Sequence, residues 1–228
     1  MTDPRQREEP ITITPEMLAP GGGGGRIDFE RGMRHAPPFI LFLIAANLAM
    51  FAWEIAAGAL ADRETIIEAG ALVRERVLGG GEWWRLMSAM FLHGGLDHIF
   101  GNIVVLYIVG LACEHAFGGA RTAVVYFASG IAGGLLSMTM GPGPSVGASG
   151  AIFGVIAAVI VVLYRWQDRF YVRDKRIGFV LLIWAGWQIL TGLANPFIDN
   201  FAHLGGLAGG ALVALALRPR LLSAGTPA

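Results

Sequence analysis

Six apolar segments leave this chain few folds to choose from. They cover residues 39–60, 98–113, 122–140, 146–164, 177–194 and 201–217. Each is close to the roughly 20 residues a helix needs to cross a hydrocarbon core, the second and sixth being short. One such segment would suit the core helix of a soluble domain, but six in succession exceed what such a domain buries. Helices are also the open-ended elements that satisfy their own backbone in lipid. The expectation is an all-α polytopic membrane protein, a bundle of six transmembrane helices. Composition agrees: 54% of residues are hydrophobic and 15% charged, where a soluble domain carries about 25% charged. The 33 glycines fit a bundle in which small residues let helices approach closely.

The remaining stretches set the boundaries. Residues 1–36 are rich in charge, Pro and Gly and are expected to form a flexible tail. The helical domain is expected over 37–218, with a short tail over 219–228. No early apolar region marks a cleavable signal, so the first span would act as an uncleaved signal-anchor. Net charge is zero, and no nucleic-acid partner is expected. The single cysteine, Cys113, excludes an intrachain disulfide framework and a cysteine-based zinc site.

Charge gives the orientation. With six spans both termini share one side, and that side collects 13 of the 17 Lys and Arg residues. The other four, Arg63, Arg74, Arg76 and Arg85, lie in one long loop with five acids, from about residue 61 to 96. By the positive-inside rule both termini are expected in the cytoplasm of a cell with this protein in its inner or plasma membrane. The long loop contains Trp83, Trp84 and Arg85 and mixes apolar with charged residues, as a segment lying in the interface does.

This topology gathers polar residues at one depth. Ser149 lies near the outer end of the fourth span, His203 one turn inside the outer end of the sixth, and His98 and Asn102 in the outer half of the second. Polar groups in a span are costly and mark a site facing the bundle interior. His98 and Asn102 are i, i+4 and share a helix face, as do Ser149 and Phe153. Gly150 and Gly154 form a GxxxG in the fourth span, and Gly206 and Gly210 form another in the sixth. Such faces bring helices together backbone to backbone, which would hold Ser149 and His203 within hydrogen-bond reach. A serine hydroxyl becomes nucleophilic when an adjacent base takes its proton, and an imidazole suits that work near neutral pH. A helix N-terminus at Ser149 offers backbone N–H groups to a developing oxyanion.

Blander readings stand beside each of these. Serine and histidine in spans also serve as packing and structural hydrogen-bonding groups, and Trp83 and Trp84 suit an aromatic belt. His93 reads as loop support, Glu114 and His115 as boundary residues. Asp97 and Asp199 read as interfacial charges, which leaves a Ser–His dyad with no carboxylate third member. A metal site of His93, His98 and His203 lacks the carboxylate that often completes one. No metal and no cofactor are expected.

Four motifs in order resemble those of the rhomboid intramembrane serine proteases, in the six-span form common in bacteria. They are Trp84-Arg85 in the long loop, the run from His93 through His98 to Asn102, Gly147-Ala148-Ser149-Gly150, and Ala202-His203 followed by Gly206 and Gly210. The resemblance covers about residues 38–218. It implies Ser149 as nucleophile, His203 as base, and an oxyanion hole including the Ser149 N–H, His98 and Asn102. Gly147, Gly150, Phe153, Trp84, Arg85, Gly206 and Gly210 take supporting places, with Phe153 stacked on the base. Implied substrates are transmembrane proteins cut near the outer end of their span, with small residues beside the scissile bond. A non-proteolytic rhomboid-like client-binding protein is the alternative, and a small-solute transporter a third reading, against which no repeat relates the two halves. Loop 195–200, with Pro196, is expected as a movable cap. The oligomeric state stays open.

Overall fold

A computed structural model describes residues 26–141, 143–172, 177–195 and 198–224. The chain forms a helical bundle whose long elements are α1 (Pro38–Ala56), α5 (Leu96–Phe117), α6 (Gly119–Met140), α7 (Ser149–Arg165), α8 (Ile177–Ala194) and α9 (Asn200–Ala216). Three short helices occupy the long loop: α2 (Arg63–Glu68), α3 (Arg74–Leu78) and α4 (Arg85–Ser88). A fourth, α10 (Leu221–Ala224), follows the bundle. Four of the long helices, α1, α5, α6 and α8, are long and apolar enough to cross a membrane, whereas α7 and α9 have 17 residues each. The short spans are therefore the fourth and sixth. The second, expected to be short, runs for 22 residues and carries Glu114 and His115 inside its last turn.

α7 is the hub. Every residue from Gly150 to Val159 is buried, and the helix is apolar all round, as a helix enclosed by others must be. It contacts α5, α6, α8 and α9, while α1 packs on α5. α8 is the opposite case: Phe179, Val180, Ile183, Trp187, Leu190 and Leu193 are all exposed, the outward face that lipid accepts at no cost.

The α7–α9 and α6–α9 contacts are made by backbone. A Cβ on Gly206 would overlap the Gly150 carbonyl, and one on Gly210 would overlap the Gly154 backbone. On the next face of α9, a Cβ on Gly205 would lie 2.7 Å from the Ala132 carbonyl oxygen of α6. Two adjacent glycine pairs thus seat α9 against two helices at once, closer than any side chain would allow.

Buried charges act as remote caps. The first N–H groups of α1 have no side-chain cap of their own, and Glu114 supplies it: Phe39 and Ile40 donate to its carboxylate at 3.1 and 2.9 Å. Helix N-termini need such acceptors, which explains a carboxylate held inside a span.

The stretch expected as a free tail needs correcting at its end. Ile27–Asp28 (β1) pairs in parallel with Phe170–Tyr171 (β2), beyond α7. Phe29 is buried, its ring edge-on to His115 and Phe170 at 5.6 Å each. Residues 1–25 lie outside the described residues. Of the expected 219–228 tail, Arg220 donates its backbone N–H to Ala116 at 2.8 Å and Leu222 is buried, whereas residues 225–228 lie outside the described residues. Residues 196–197 of the expected cap, and the basic residues Arg173, Lys175 and Arg176, lie outside the described residues.

Candidate active site

The long loop sets the position of the serine. Leu72 and Ser145 exchange both backbone hydrogen bonds, at 2.9 and 3.0 Å, and the Gly147 N–H reaches the Ala89 carbonyl at 2.8 Å. The loop itself is tied by Arg85, which is 2% exposed. Its guanidinium donates to the Ile67 and Ala71 carbonyls at 2.5 and 3.0 Å and to Glu82 at 2.5 Å. Trp84 lies 4.7 Å from the same guanidinium and is half exposed, so the pair joins a buried knot to an outward aromatic.

Gly147 brings the chain into α7. Its φ of +123° suits glycine alone. A Cβ there would sit 2.7 Å from both Cε1 and Nε2 of His98 and 3.5 Å from Nδ2 of Asn102. Ser149 is the first residue of α7 and is half-buried. No side chain caps this N-terminus, which leaves its first N–H groups directed out of the helix.

His98 and Asn102 therefore face the serine loop with donors. The Gly94 N–H points at His98 Nδ1 at 3.4 Å, which makes Nδ1 the acceptor and leaves the proton on Nε2, the nitrogen against Gly147. Asn102 Nδ2 is buried and has no partner among the described residues. An unmade donor of this kind costs about 1–3 kcal/mol, so its retention beside Gly147 asks for a use.

His203 comes from α9. Asp199 caps that helix by accepting from the Ala202 N–H at 2.9 Å, and it also accepts from the Ser137 hydroxyl of α6. The aspartate is thereby occupied. His203 Nδ1 is buried and has no partner among the described residues, so no carboxylate there accepts from it. What holds it is Phe153: the rings stack at 4.1 Å with 5° between their planes. Phe153 in turn meets Trp184 of α8 at 5.9 Å. The turn carrying Ser149 faces the turn carrying His203, since a Cβ on Gly150 would lie 3.2 Å from the Ala202 carbonyl oxygen. No hydrogen bond joins the Ser149 hydroxyl to His203 among the described residues.

Sequence reasoning passed over Glu54, Asp199 and the Leu72–Ser145 bridge as builders of this region. A single carboxylate in the otherwise apolar first span was the available signal. Among the described residues no three of His, Cys, Asp and Glu converge as metal ligands would.

Residues 80–220 match the family model of the Rhomboid domain. The chain belongs to the rhomboid family. That span holds all four motifs, and the fold is the multi-pass helical membrane architecture of a rhomboid. Rhomboid protease GluP of Bacillus subtilis (strain 168) is 36% identical over 181 residues, covering 79% of this chain and 35% of that protein. RHOMBOID-like protein 4 of Arabidopsis thaliana is 35% identical over 155 residues, 67% of this chain and 39% of that one. Inactive RHOMBOID-like protein 8 of the same plant is 34% identical over 143 residues, covering 62% and 40%. This rhomboid thus spans well under half the length of those three relatives.

Proposed function

We propose that this rhomboid is an intramembrane serine endopeptidase, cleaving transmembrane proteins near the outer end of their span with Ser149 as nucleophile and His203 as base. The observation that carries the reading is the buried, unpartnered Asn102 amide with His98 Nε2 beside Gly147, near a histidine stacked on Phe153 on the facing turn. A structural role alone leaves the Asn102 donor without a purpose.

The chemistry runs as acyl transfer. His203 takes the hydroxyl proton as Ser149 Oγ attacks the substrate carbonyl. The oxygen that gains charge meets the Ser149 N–H at the helix N-terminus, His98 Nε2–H and Asn102 Nδ2–H. His203 then gives its proton to the leaving amine. Water from the outer phase, activated by the same imidazole, hydrolyses the acyl-enzyme. A substrate helix must unwind locally for its carbonyl to reach Ser149, so helix-breaking residues near the cut favour cleavage. The proposed setting is the inner or plasma membrane with both termini in the cytoplasm.

The test is cleavage of a reporter membrane helix by the purified protein. Wild type cuts, and Ser149→Ala and His203→Ala do not. Cleavage retained by Ser149→Ala would sink the mechanism. Asn102→Ala loses about 10²–10³ in rate, the cost of one oxyanion donor. A relative whose name calls it inactive keeps a second reading in play, a client-binding protein that does not cut. That reading expects capture of the reporter helix by wild type and Ser149→Ala alike, with no product from either.

A further inference from the structure

The unexplained group in this molecule is Glu54. It is a carboxylate with 0% exposure in the last turn of the apolar first helix, and it lies ahead of the residues the family model matches. It makes no ion pair among the described residues. Both its oxygens accept from one donor, the backbone N–H of His93, at 2.9 and 3.2 Å. Holding an acid in that setting is costly unless the bond it makes is needed.

That bond fixes the turn leading into α5. His93 Nδ1 lies 3.1 Å from the Phe91 carbonyl, so Nδ1 carries the proton and Nε2 presents a lone pair. Nε2 is buried and has no partner among the described residues. The His93 ring meets the His98 ring edge-on at 5.2 Å. The next residue, Gly94, directs its N–H at His98 Nδ1. One chain of contacts therefore runs from Glu54 through the 93–94 backbone to His98, and ends at the Nε2 that abuts Gly147. If the 93–94 peptide rotates, His98 Nδ1 loses its donor and the ring loses what keeps the proton on Nε2.

We infer that Glu54 is a positioning residue for the reaction: by holding the Leu92–His93 peptide through the His93 N–H it fixes the residue from which the Gly94 N–H is aimed, so that His98 stays in the Nε2–H tautomer and aims that proton at the oxyanion. The inference rests on the proposed proteolytic function for its kinetic consequence, but the tautomer itself does not depend on cleavage.

Two measurements test it. The first is ring ¹⁵N chemical shifts of His98 in the membrane-embedded protein at neutral pH. Wild type shows protonated Nε2 and bare Nδ1, and Glu54→Met, of similar length but without acceptors, shows a mixture. Protonated Nδ1 in wild type, or an unchanged tautomer in a folded Glu54→Met protein, overturns the inference whether or not the protein is a protease. The second is kinetic. Glu54→Met lowers kcat by about tenfold to a hundredfold with little change in KM, short of the loss of a whole oxyanion donor. Glu54→Gln, which keeps one carbonyl acceptor for His93, recovers most of that loss. In a His98→Ala background Glu54→Met adds no further loss, because the two act through one group. Equal losses in both backgrounds would make Glu54 a structural residue only. Wild type that fails to cut the reporter counts against the proposed function, and the tautomer measurement then decides the role of Glu54 by itself.

Discussion

At the scale of single residues, contact geometry separates the groups that hold from the groups that are held. Phe153 is a wall for His203, with the planes of the two rings nearly parallel. Such a contact contributes about 0.5–1.5 kcal/mol beyond burial and restrains rotation of the imidazole. Phe153→Leu keeps an apolar side chain of similar bulk and removes the flat face. Its expected effect is a fall in kcat of up to about tenfold, with the melting temperature lowered by only a few degrees, read by reporter cleavage and thermal denaturation in detergent. Gly147→Ala is the harsher change: the new methyl group meets the His98 ring on a backbone that disfavours it. Activity falls to the level of His98→Ala or below while the protein still folds.

At the scale of elements, the glycine pairs of α9 are the most constrained feature. Gly206→Ala puts a methyl group into the Gly150 carbonyl, and neither backbone can yield without separating α7 from α9. The expected loss is about 3 kcal/mol or more, at the top of the range for overpacking. Gly101→Ala in α5 is the control, since a Cβ there meets nothing within 4 Å, and its melting temperature stays at or slightly above that of wild type. The Gly206–Gly210 pair was legible because GxxxG is a local pattern, and the six long helices were legible because a hydrophobic run needs no partner to be seen. The longer reach of α5 was not, because Glu114 is tolerated inside the helix only by its bonds to α1, some 75 residues away in sequence. The docking of Ile27–Phe29 on β2 escaped for the same reason. A two-residue strand has no periodicity, and its partner lies far along the chain. Within the candidate site, residue types and depth could be read from order and topology, but which nitrogen of His98 carries the proton depends on the Gly94 N–H, a contact that no sequence pattern marks.

At the scale of the whole molecule, pH acts through a group that is not among those proposed to react. Burial, with His98 beside it, pushes the His93 imidazole from 6.5 down to about 4. The unfolded chain then binds the proton more readily than the folded one. This contribution to stability is fully present above pH 6.5 and is lost as pH falls toward 4, amounting to about 3 kcal/mol at most. Thermal denaturation from pH 7.5 to 4.5 should show that decline, and His93→Gln should flatten it. A wild-type melting temperature constant across the range would show that His93 does not titrate against folding. The two span carboxylates carry a last consequence, which concerns assembly. Glu54 reaches 39 residues forward to His93, and Glu114 reaches back to the start of α1. α1 therefore cannot complete the hydrogen bonding of its N-terminus, nor bury its acid at no cost, until α5 has arrived. Insertion of α1 alone leaves a provisional state, and these bonds are completed once the loop before α5 and α5 itself are in place. Severing the chain between α1 and α5, for example at the exposed Ala61, should yield two fragments that recover a folded protein only when made together.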